Sequence, residues 1–252
     1  MKKLLCASGA IVSLMIAAPA FAQVTGYAGA NYNHSEIDPG KGLSSVNDNG
    51  YAVSGAVLFP TAKPGLGVQL DGQIRDSDKT DTAVTGTAHL FNRNDSYLLG
   101  GFVGGSNSNG GNTWGLGVEG QKYLNDWTVA GAAGYGRVDR AHADVWAVRA
   151  DARYFVNENF RLEGNVGYNN LDLKVGGSAD AWGVGVGGEY QFAQAPVSVF
   201  AKYDYAKVDN YDIEANVFRI GARWNFGGTL KSRDRSGASL GGFSDMIVGN
   251  LF

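Results

Sequence analysis

The sequence predicts an all-β protein, a transmembrane antiparallel up-and-down β-barrel of about 12 strands, with about 10 or 8 as the alternatives. Three observations carry that prediction. From residue 23 onward, apolar and polar residues alternate in segments of strand length separated by turn residues. Residues 1–22 read as an export signal, and no later run of about 18 apolar residues could form a membrane-crossing helix. The polar face of the alternating segments is charged and nearly balanced in sign.

The signal has a basic start at Lys2 and Lys3, an apolar stretch from Leu4 to Ala18, and Ala20-Phe21-Ala22 as a cleavage site before Gln23. The lone cysteine, Cys6, lies inside it, so no disulfide or thiol chemistry is expected in the exported chain. Two of the 21 Lys+Arg also lie there, which leaves 19 against 24 Asp+Glu and a formal charge of −5. Nothing in that balance suggests a nucleic-acid partner. The 38 glycines, 12 Tyr and 12 Phe come without a segment of helix formers at 3.6 spacing, which points to β-structure throughout.

The first six strands are expected near 24–37, 49–60, 66–77, 82–92, 96–106 and 113–124. Six more are expected near 127–139, 144–156, 160–174, 179–193, 197–209 and 213–226. One set of connections is short and built of Asn, Asp and Pro, such as Leu124-Asn125-Asp126-Trp127 and Asn157-Glu158-Asn159, and suits the periplasmic side. The other set, including 38–48, 77–81, 106–112, 140–144 and 175–179, is richer in Gly, Ser, Asn and Asp and suits the outer side. Each strand with its turn takes roughly 17 residues, close to what a tilted membrane-crossing strand needs. An even number of strands returns both ends to one side, and closure removes the exposed sheet edges.

Faces can be assigned along several strands. Leu66, Val68, Leu70 and Ile74 oppose Gln69, Asp71, Gln73 and Arg75, while Trp146, Val148, Ala150, Ala152 and Tyr154 oppose Arg149, Asp151 and Arg153. The charges expected to line the lumen are Arg75, Arg149, Arg153, Arg161, Lys202, Arg219 and Arg223 against Asp71, Glu119, Asp151, Glu163, Glu189 and Asp204. Tyr154, Phe160, Phe192, Trp224 and Phe226 should form an aromatic girdle at the turn side. A β-sandwich is the competing reading, but it would leave the charged face in bulk solvent with no reason for matched signs.

Two lumens fit this pattern: a hydrogen-bonded network that fills the barrel, or a water-filled pore between acidic and basic walls. With about 12 strands a narrow path is expected. Strands one, two, five and seven offer Gly, Ala, Ser and Thr inside, so the path should follow the first half of the chain.

Other motifs carry little. Gly115-Leu116-Gly117-Val118-Glu119-Gly120 and Gly183-Val184-Gly185-Val186-Gly187-Gly188 match G-x-G-x-x-G but open no helix, so no phosphate site follows. His34-Ser35-Glu36 cannot form a triad, because adjacent strand residues face opposite ways, and His34 and His142 read as polar residues of the outer rim. With His89 as the third histidine and no exported cysteine, neither an enzyme, a metal site nor a cofactor is expected.

Residues 219–226, Arg219-Ile220-Gly221-Ala222-Arg223-Trp224-Asn225-Phe226, resemble the assembly signal on the last strand of bacterial outer-membrane barrels. In it a polar residue, here Arg219, is followed by Gly221 and then by the alternating aromatics Trp224 and Phe226. With the export signal and the hairpin array, the chain resembles a porin-family outer-membrane barrel over about residues 23–226. Residues 233–240 look like tails of alphaproteobacterial members. The resemblance implies residence in the cell outer membrane, with lipid and the barrel-assembly machinery as partners. It also implies passive diffusion of small hydrophilic solutes, a non-conducting structural or surface-interaction barrel being the alternative. Such a signal normally ends a chain, but here residues 227–252 follow. Up to Gly242 they read as a disordered periplasmic tail, whereas Phe243, Met246, Ile247, Val248, Leu251 and Phe252 are apolar and could enter the barrel, dock a partner or form a short helix.

Overall fold

The computed structural model describes residues 24–40, 42–108, 111–140, 142–173 and 177–246. The signal assigned to residues 1–22, and Ile247, Val248, Leu251 and Phe252 of the apolar cluster, lie outside the described residues.

Twelve antiparallel strands close into one barrel. They are β1 Thr25–Asp38, β2 Val46–Pro60, β3 Leu66–Ser77, β4 Ala83–Arg93, β5 Tyr97–Ser108 and β6 Gly111–Leu124. The remainder are β7 Trp127–Val138, β8 Ala143–Asn157, β9 Phe160–Leu173, β10 Gly177–Gln191, β11 Val197–Val208 and β12 Ile213–Phe226. Each strand pairs with its neighbours in the chain, and β12 closes on β1 from Gly26 opposite Phe226 to Asp38 opposite Glu214. The alternatives of 10 or 8 strands are therefore set aside.

Strand ends differ from expectation mostly on the long-loop side. The expected loop over 106–112 is instead a continuation of β5 and β6, with Ser108 opposite Gly111 and the Asn107 amide donating to Asn112 Oδ1 at 2.5 Å. Ladder hydrogen bonds need no apolar pattern, so strands run past the point where alternation stops. After β11 a 3-10 turn, Asp209–Tyr211, replaces the expected last strand residue.

The outward face is apolar. Leu70, Leu90, Leu99, Val103, Leu116, Val118, Trp146, Val148, Val186, Ile220 and Trp224 are all exposed large hydrophobics. An apolar belt of this extent around a closed sheet suits a lipid-facing surface. Aromatic rings border it at both ends. On the turn side Trp127 meets Tyr154 at 4.8 Å and Tyr190 meets Phe192 at 5.4 Å between ring centroids. On the opposite side Tyr135 meets Trp146 at 5.0 Å and Trp182 meets Tyr205 at 5.5 Å, a second girdle that the sequence reading did not assign.

The largest departure follows β12. The disordered periplasmic tail expected up to Gly242 is corrected by the fold, while Phe243 and Met246 enter the barrel as one of the expected alternatives had it: residues 229–246 turn back at the short-turn mouth and run into the lumen. They form α1, Leu230–Ser236, and a single helical turn α2, Phe243–Met246. Its Ser, Gly and charged residues look disordered in isolation because alone they bury too little. The lumen supplies the partners that the tail's own composition lacks.

Candidate functional site

The functional interior is the lumen with this tail inside it. Thr229 caps α1 by accepting from the Ser232 amide at 3.1 Å, and the Gly237 amide donates to Arg233 O at 2.7 Å to end it. α1 lies across the short-turn mouth. Lys231 Nζ reaches Asp126 at 2.9 Å, the Lys231 amide donates to Glu158 O at 3.1 Å, and Arg235 donates to the carbonyls of Asn125 and Trp127, each at 2.9 Å. The inward side carries Asp234, which pairs with Arg153 at 2.7 Å and accepts from Thr128 Oγ1 at 2.5 Å. Beside it burial pulls the Arg233 guanidinium down to about 10, its Nη2 reaching Gln191 Oε1 at 3.3 Å.

Beyond α1 the tail is gripped through its main chain. Gln69 Oε1 accepts from the amides of Ser239 at 3.0 Å and Leu240 at 3.2 Å, and its Nε2 donates to Leu240 O at 3.0 Å. Gln121 donates to Ser239 O at 3.1 Å, and Arg93 to Gly237 O at 2.8 Å. Further along, Thr87 Oγ1 accepts from the Phe243 amide at 2.7 Å, Arg149 donates to Asp245 O at 2.7 Å, and Asn169 to Met246 O at 3.1 Å.

Apolar anchors accompany these bonds. Ala238 and Leu240 pack with Ala56, Leu58, Phe91, Leu98 and Tyr123, while Phe243 and Met246 pack with Phe102 and Ala147. Gly104 and Gly115 make the slot for Phe243: a Cβ on either would fall 2.6 and 2.7 Å from atoms of its side chain. The small residues of β5 and β7, expected to border an open path, thus receive Phe243 and Met246 instead.

The thirteen charges assigned from sequence fall into local groups. Arg161 lies 3.0 Å from Glu163 and 2.9 Å from Glu189, Glu163 lies 2.7 Å from Lys202, and Glu189 lies 2.6 Å from Arg223. Arg149 pairs with Asp151 at 2.7 Å, and Arg219 with Asp204 at 2.8 Å. Asp71 and Glu119 meet across His89, whose Nε2 and Nδ1 lie 3.0 and 2.7 Å from them. Arg75 lines the outer part of the lumen. Within residues 219–226 Arg219 and Gly221 face inward, Trp224 faces outward, and Phe226 stands opposite Gly26 at the closing seam.

His89 is the lumen residue that the sequence reading missed. The pattern Thr85, Thr87, His89 against Val84, Leu90 carries the signal, but His89 sits between carboxylates contributed by β3 and β6 that only the register reveals. His34, at the rim as expected, contacts Asn49 at 2.8 Å.

Among the described residues, two polar cavities lie beside the tail. An outer one of about 170 Å³ is walled by Asn31, Asn33, Ser54, Gln73 and Thr85 on one side and by Lys202 and Arg219 on the other, with Gly242, Ser244 and Asp245 as its floor. An inner one of about 140 Å³ lies between the tail and Ala130, Arg149, Arg161 and Glu163. Both border Tyr27, Lys202, Arg223, Gly242 and Asp245. At that junction the Arg223 guanidinium stacks on Tyr27 at 4.6 Å and on Phe200 at 4.4 Å.

A closed barrel with an apolar outer face and a polar lumen is the architecture of outer-membrane β-barrels. No protein-family model and no curated protein matches the chain. Among solved structures it is similar to an outer-membrane channel from Pseudomonas putida F1, with a TM-score of 0.62 and 15% identity over 83% of this chain and 100% of that one. The NanC porin gives a TM-score of 0.54 at 13% identity, over 77% of this chain and 98% of that one. The translocator domain of the autotransporter NalP from Neisseria meningitidis gives 0.52 at 14% identity, over 89% and 96%. At such identities the likeness is one of fold.

Proposed function

We propose that this protein resides in the outer membrane as a porin-like barrel and lets small hydrophilic solutes diffuse passively through a narrow charged lumen. The observation that carries this reading is the pair of polar cavities that meet at Tyr27, Lys202 and Arg223 beside the tail. The outer one lies against the Asn, Ser and Gly side of β1–β3, and the inner one against β7–β9. The apolar belt with its two girdles supports the membrane setting. Structures described as porins and as a channel share the fold, which supports conduction. Lipid and the barrel-assembly machinery are the proposed partners, the latter through Arg219, Gly221, Trp224 and Phe226 of β12. An enzyme is disfavoured, since both ring nitrogens of His89 face carboxylates.

One observation favours a second reading. The tail fills the β5–β8 side of the lumen, as a structural barrel that conducts little would require. Planar-bilayer conductance of the folded full chain, with liposome swelling in sugars of increasing size, separates the two. Small resolved conductance steps and swelling limited to the smallest solutes are expected; a flat current trace from correctly folded protein would leave the structural reading in its place.

A further inference from the structure

We propose that the lumen is a peptide-binding site that reads main chain, and that residues 237–246 of this chain are its resident ligand. The proposal rests on the contacts of the tail and stands whether or not the barrel conducts.

Packing of a tail as ordinary core would bury side chains and leave its backbone to secondary structure. Here residues 237–242 belong to no helix or strand, and side chains of the barrel bond eight peptide groups of the tail. Gln69 makes three bonds to the peptide units of Ser239 and Leu240, and Gln121, Arg93, Thr87, Arg149 and Asn169 take one each. These residues come from β3, β4, β6, β8 and β9, so the grip runs around much of the wall and is not confined to one hairpin. Gln69 is wholly buried; its Nε2 also donates to Asp71, but the partners of its Oε1 are the Ser239 and Leu240 amides, and a buried acceptor without them would be costly. Three anchors at Leu240, Phe243 and Met246 then set the register through burial of their side chains. Main-chain bonds for affinity and spaced apolar pockets for register are how sheet proteins recognise extended peptides. Gly227 and Gly228, which join this ligand to β12, are exposed at the mouth.

The test uses the folded full chain with a site-specific protease sequence inserted between Gly227 and Gly228. After cleavage in detergent, the severed tail should stay with the barrel through gel filtration. It should then exchange saturably with a labelled synthetic peptide of residues 229–246. Gln69→Ala combined with Gln121→Ala should weaken peptide retention about tenfold or more, and a Phe243→Ala peptide should compete about tenfold less well, while a Ser244→Ala peptide competes like the parent. Heat-modifiable migration on gels checks that each variant has folded. In the uncut chain, amide exchange at Ser239, Leu240 and Phe243 should be protected and should lose protection in the double variant, a readout independent of cleavage. Loss of the tail on cleavage with no saturable uptake of peptide would overturn the proposal, because the tether and not the lumen would then hold it. Permanent retention with no exchange would overturn it equally, by making the tail a fixed part of the core.

Discussion

Asp234 shows how much of the interior rests on single charges. Its carboxylate is almost fully buried against Arg153 and Thr128, with Arg235 at 3.7 Å. Asp234→Ala leaves the buried Arg153 cation without that carboxylate, and breaking such a pair costs about 3 kcal/mol. A lower temperature for conversion from the folded to the unfolded gel form is the expected result, with most of the loss recovered when Asp234→Leu is combined with Arg153→Met. Gly221 is critical in a different way. A Cβ there would fall 2.6 Å from the Phe200 ring, and it would also crowd the Ala30 carbonyl across the closing seam. Gly221→Ala should cut the heat-modifiable fraction in membranes several-fold. Phe200→Ala should restore only part of it, because the Ala30 oxygen is backbone and cannot move aside. In sequence Gly221 was legible as part of an assembly signal, but the reason for a glycine was not, since Phe200 is twenty-one positions away.

Among the elements, the strands were the most legible part. Alternation of period two identified all twelve, and their ends shifted chiefly where polar residues continue the ladder above the membrane. α1 was the least legible. Its seven residues, Leu-Lys-Ser-Arg-Asp-Arg-Ser, lack a helical apolar stripe, and only the mouth of the barrel gives them an inside and an outside. Lys231 latches the outer side. Its hydrogen bond to Asp126 holds the ammonium above the ordinary lysine value of 10.5. A raised value means that the latch contributes fully below 10.5 and is lost as pH climbs through the higher folded value. A fluorophore placed at Ser236, which is exposed, should therefore gain mobility in that alkaline range. Lys231→Gln should show the mobile signal at neutral pH and no alkaline step. Salt should act in the same direction as alkali, because the pair is close to solvent.

At the scale of the whole molecule, the order of the twelve strands and the closure of β12 on β1 followed from an even strand count and from edges that need protection. The thirteen lumen charges could be assigned a side from sequence, but not a partner. Pairing depends on register and on rotamers, and two of the decisive groups, His89 and Asp234, come from a strand whose polar face went unassigned and from a tail read as loose. Lumen width suggested an open path, and what fills most of it is the chain itself. Only ten residues separate the end of β12 at Phe226 from Gly237, whose carbonyl Arg93 holds. A tether that short presents its own segment at an effective concentration on the order of 1 mM. An intrinsic dissociation constant of about 10 μM would then keep the interior occupied about 99% of the time. Any competing molecule would have to match that local concentration, so a weakly held segment can still keep strangers out.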